Sequence, residues 1–194
     1  MAGRSGPTTK NTSTIALGLA QIRVGVSATH IAEIHPQLVA ADSIGALANT
    51  KFTGKADWFK LESGFPLLED FTTALREGAS LECAFKEMTP ANIALAYGKD
   101  PAALTLAHSG ELALGGRVAP DYVRMEAVYT YPNGTNYMHI IFPRAQVSAS
   151  MELDLKAEDA AAAPIVFEAK RADSEVTGGN AVWDAKPLGR IVWT

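Results

Sequence analysis

Apolar and polar residues alternate with a period of two along most of this 194-residue chain. Ile22, Val24 and Val26 enclose Arg23 and Gly25, and Leu81, Cys83 and Phe85 alternate with Glu82 and Lys86. Val123, Met125, Ala127, Tyr129 and Tyr131 alternate with Arg124, Glu126 and Thr130. The most regular run sets Val147, Ala149, Met151, Leu153 and Leu155 against Ser148, Ser150, Glu152 and Asp154. Ile165, Phe167 and Ala169 repeat the pattern around Glu168. Successive side chains of a strand point to opposite faces, so each run predicts a strand with one dry and one wet face.

The punctuation agrees. Asn133-Gly134 lies between two strand patterns and offers the positive φ of a tight hairpin turn. Strands near 121–131 and 136–142 should therefore pair antiparallel, with Pro143 ending the second. One segment reads clearly as helix. Thr89 is its N-cap, Pro90 its first residue, and Gly98 stops it after 90–97. A second helical turn is expected over 156–163, ended by Pro164, whereas 31–48 gives no single reading. The fold class is mainly β with one short helix (α+β), an antiparallel β-sandwich or barrel with a flanking helix.

Residues 51–77 predict a hairpin too long for a domain of this size to bury on both faces. Two strand-like arms flank Ser63-Gly64-Phe65-Pro66, and Trp58, Phe59, Phe65, Leu67, Leu68 and Phe71 gather around that turn. Either these side chains fold back into the core, or the hairpin is an arm that another subunit covers.

Composition narrows the function. With 47% apolar and 20% charged residues the chain is an ordinary globular one. A formal net charge of −4 does not supply the basic footprint that gripping phosphates requires. A single cysteine, Cys83, excludes an internal disulfide framework. The polar stretch 1–14 has no apolar segment of the secretion-signal kind and is expected to be a mobile arm. No apolar run approaches the ~20 residues of a membrane span, so membrane insertion is not expected.

The sequence carries no recognisable catalytic constellation. His30, His35, His108 and His139 show no metal-ligand spacing, and neither a nucleophile elbow nor a phosphate-binding loop occurs. The acidic pairs Glu69-Asp70 and Glu158-Asp159 have nothing converging on them. The expectation is a non-enzymatic protein with no cofactor, no metal and no catalytic residue.

Three segments, in order, resemble the major tail tube protein of tailed bacteriophages. They are Gly64-Phe65-Pro66-Leu67-Leu68-Glu69-Asp70, then Glu77-Gly78-Ala79-Ser80-Leu81-Glu82, then the helix start Lys86-Glu87-Met88-Thr89-Pro90-Ala91-Asn92. Ile140-Ile141-Phe142-Pro143-Arg144-Ala145 and the closing strand over 165–172 also look like that family. The resemblance covers roughly 17–172. It implies a tail-tube β domain over 15–174, with 1–14 as an arm and 175–194 as a C-terminal extension.

It further implies hexameric rings stacked into a hollow tail tube, assembled in the bacterial host cytoplasm, through which DNA passes without specific binding. The chain's main partner would be itself, with sheath, tape measure, baseplate and tail terminator proteins as further neighbours. Six subunits lending four strands each would close a barrel ~48 Å across, using ~4.8 Å strand spacing and ~40° tilt. On this reading Trp58, Phe59, Phe65, Leu67 and Phe71 make the inter-ring contact, and Glu62, Glu82 and Glu126 face the lumen. An inner tube of a bacterial contractile injection device and a non-viral β-sandwich binding module stay open as alternatives.

Overall fold

The alternating segments form strands of one sheet. The computed structural model describes residues 18, 20–100, 111–115, 119–148, 152–153 and 161–194. Within them lie β1 (Gln21–Val26), α1 (Ser27–His30), β2 (Leu47–Ser63), β3 (Leu68–Phe85), α2 (Pro90–Ala96), β4 (Val123–Thr130), β5 (Tyr137–Val147), β6 (Ala163–Ala169) and β7 (Arg190–Trp193). The strand order is β1-β4-β5-β6-β3-β2, and β7 pairs with β5 beside that path. All of the pairings are antiparallel. The run over 147–155 and the helical turn over 156–163 fall largely outside the described residues, as does the arm over 1–14, while Ala163 opens β6.

Ile22 and Val24 of β1 share a buried cluster with Leu81, Cys83 and Phe85 of β3, near the opposite end of the strand order. The sheet therefore curls around its own core. The inward residues of β4, β5 and β6, such as Met125, Phe142 and Phe167, fill that core, and Leu95 and Ala96 of α2 cover it. Thr89 caps α2 by accepting from the Asn92 amide at 3.2 Å. The Asn92 side chain donates to the carbonyls of Ile44 and Glu87, at 2.9 and 2.8 Å, which ties the helix to the chain entering β2.

The outward face of β4 departs from the sequence expectation. Arg124 and Glu126 are completely buried, because residues 30–38 lie across them. Arg124 donates to the carbonyls of His30, Glu33 and His35, each at 2.7 Å, and to Glu126 Oε1 at 2.7 Å. Glu126 accepts from the backbone amides of Gln37 and Leu38, at 3.0–3.2 Å. The two charges thus satisfy backbone groups of the end of α1 and of a following segment with no strand or helix to do so. Glu126 does not face a lumen, and that assignment is withdrawn.

Pro143 does not end β5. Met125 pairs with Phe142 and Val123 with Ala145, so Pro143 and Arg144 together oppose Arg124 in a β-bulge. A bulge leaves its extra residue unpaired, so the missing proline N–H breaks no ladder bond. β5 then continues to Val147 beside β6.

Residues 175–194 belong to the β domain and are not an appendage to it. Trp183 is fully buried with Ile141 and Ala172, and its indole N–H donates to the Ile31 carbonyl at 2.7 Å. Burying an aromatic side chain of this size contributes on the order of 3 kcal/mol. β7 extends the sheet from β5, and Gly189 is required just before it: φ is +129°, and a Cβ there would collide with the Ile141 carbonyl.

Candidate assembly interface

β2 and β3 form a hairpin that leaves the sheet. Only Ser80–Phe85 of β3 pair with β6, so the ribbon beyond Gly54 and Ala79 is two-stranded to its turn. Gly64, at φ +84°, makes that turn possible. Register shifts insert Leu75 and Asp70 of β3 as unopposed residues, and such bulges add twist to a ribbon.

The apolar residues of the hairpin do not fold back into the core. Trp58, Phe59, Leu61, Leu67, Leu68, Phe71 and Leu75 are exposed, and Phe65 at the turn is fully so. The pairing register sorts them. Leu61 lies opposite Phe71, and Phe59, two residues from Leu61, shares their face. Trp58 belongs to the other face, with Lys60 and Glu62. The five contact residues expected from sequence therefore divide between the two faces and the tip. Leu61 and Leu75 were missed, although the spacing of Phe59 and Leu61 already marks an apolar strand face.

Polar contacts hold the tip together. Lys60 Nζ lies 2.7 Å from Glu69 Oε2, Thr72 donates to the same carboxylate, and Ser63 donates to Asp70. The Lys60 and Thr72 hydrogen bonds hold the Glu69 carboxyl below the usual range.

Two open sheet borders accompany the hairpin. The outer edge of β2 pairs with no strand among the described residues. Among the described residues, the outer edge of β1 meets only the short bridge Arg23–Ser43 and a bond from the Ile44 amide to the Ile22 carbonyl. An unpaired edge of this length is a template for another strand.

Of the acidic residues expected to line a bore, Glu82 lies on the wet face of β3, 3.6 Å from Lys51. That face continues on β6, where Glu168 lies 2.6 Å from Lys170. Glu62 sits near the hairpin tip, opposite Glu69, and is not brought near Glu82. Arg171 also pairs with Asp173, at 2.6 Å, and with Glu175. Among the described residues no group of three or more His, Cys, Asp or Glu side chains is placed to hold a metal ion. His139 is buried on β5 with Nδ1 unpartnered, and burial pushes its pKa down. Also among the described residues, no helix is long and apolar enough to cross a membrane.

No family model matches the chain, and no curated protein matches it. Among solved structures it is similar to a chain in the tail of an empty GTA particle, computed with helical refinement in C6 symmetry. The TM-score is 0.43 at 13% identity, over 90% of this chain and 95% of that one.

Proposed function

We propose that this protein is a non-catalytic structural subunit that self-assembles, as stacked hexameric rings, into the tube of a phage-type tail, and that the tube conducts DNA. The observation that carries the reading is the β2–β3 hairpin, a paired ribbon with large apolar side chains on both faces and at its tip. A lone soluble subunit would leave that surface wet. Covering each large apolar side chain contributes ~1.5–3 kcal/mol, so a few per subunit, repeated around a ring, hold rings together firmly. The open edges of β1 and β2 support ring closure, because a closed barrel of strands has no edges left.

The wet face of β2, β3 and β6 suits the lining of a bore. Its carboxylates Glu82 and Glu168 are each matched by a lysine, and Lys55 on the same face adds one further positive charge, which leaves the surface only weakly basic. A strongly basic wall would hold DNA by counterion release, whereas a weakly charged one lets it slide. Glu82 is the residue of the expected acidic set that this lining retains.

The test is the Trp58→Ala plus Phe65→Ala variant. Tubes seen by electron microscopy should shorten at least tenfold, while circular dichroism and the melting temperature of the subunit stay unchanged. Tubes of normal length from a folded variant would remove the hairpin from the assembly.

A further inference from the structure

Where β5 exchanges β7 for β6 as its neighbour, the sheet leaves an apolar notch of about 230 Å3. Its walls are Phe52 and Ala79 at the base of the ribbon, Ile140 and Phe142 on β5, Leu188 just before β7 and Ile191 on it. Phe52 tilts against Phe142 at 6.3 Å between ring centroids, yet Phe52 and Ile191 each keep about 40% of their surface open. We infer that this notch receives the hairpin tip of a second copy of the chain, with Phe65 as the inserted side chain. The inference rests on the self-assembly reading and specifies where one copy holds the next.

Reach excludes a contact within one chain. Phe52 in the notch wall and Phe65 at the tip are separated by thirteen positions of sequence, which span roughly 43 Å at ~3.3 Å per residue. Over that span β2 is paired with β3, so the ribbon cannot fold its tip back to its own base. Charge supports the match. Between Trp58 and Phe71 the ribbon carries Lys60 against Glu62, Glu69 and Asp70, and the notch presents Arg190. An aromatic anchor entering an apolar pocket, with a charged rim around it, is the usual form of a strong contact. Knob and hole are different surfaces of one molecule, so every added copy brings a fresh knob and a fresh hole. Repeated in one direction, such a contact closes into a ring where its rotation allows and otherwise extends along an axis.

Crosslinking tests the seat in the full-length chain. The variants are Ser63→Cys beside the tip, Ile191→Cys and the two combined, so that Phe65 itself is kept, treated with a short bismaleimide that spares the strict geometry a disulfide demands. The native Cys83 is buried and its thiol is pushed up to about 12, so it does not compete. The combined variant should give a ladder of dimers, trimers and longer chains on a denaturing gel. Each single variant alone should give none, and an equal mixture of the two should stop at dimers. Tubes in the microscope without a ladder would overturn the seat and leave the assembly reading standing. Neither tubes nor ladder would overturn both.

Discussion

At the scale of residues, the buried pair Arg124 and Glu126 is the most consequential departure from simple patterning. Its alternation with Val123, Met125 and Ala127 marks a wet strand face, and nothing local says that residues 30–38 will cover it. The pair is worth little as an isolated attraction, because removing both charges from water offsets most of their mutual gain. Its value lies in the backbone groups that it satisfies. Losing one member leaves the other charged, buried and uncompensated, at a cost of about 3–5 kcal/mol. Arg124→Met should therefore lower the unfolding free energy by that amount in urea denaturation, with Glu126→Gln also destabilising. A loss below 1 kcal/mol for Arg124→Met would show that residues 30–38 do not depend on the clamp.

Elements differ in how far local signals determine them. The Thr89 cap, Pro90 and Gly98 bracket α2 within one residue of its observed ends, and Asn133-Gly134 turns β4 into β5 as expected. These are contacts within a few residues, which a sequence displays directly. Pro143 within β5 was not legible, because its bulge exists only through pairing with β4. Nor was the role of residues 175–194, since Trp183 meets Ile31 across 152 positions of sequence. The hairpin was legible as an element, whereas the division of Trp58 and Phe59 between its faces needed the register.

The same element carries a pH dependence. Glu69 has its folded pKa held below the unfolded value, so its contribution to tip stability is present above the unfolded pKa and lost as pH falls through the folded one. Carboxyl NMR of the Trp58→Ala plus Phe65→Ala variant should show Glu69 titrating below 4.5, and Lys60→Met in that background should raise its midpoint. A midpoint at or above 4.5 before the Lys60 change would contradict the tip geometry.

At the scale of the whole molecule, the described residues leave surfaces that a lone chain does not cover. Its sheet ends in open edges, its ribbon carries apolar side chains into solvent, and a notch fit for one of them lies at the ribbon's base. Electron cryo-microscopy of the purified full-length protein, across a concentration series, tests this claim most directly. The account predicts hollow tubes of stacked rings, with the hairpin of each subunit buried against the adjacent ring. Isolated single subunits at every concentration, with the hairpin in solvent, would contradict it.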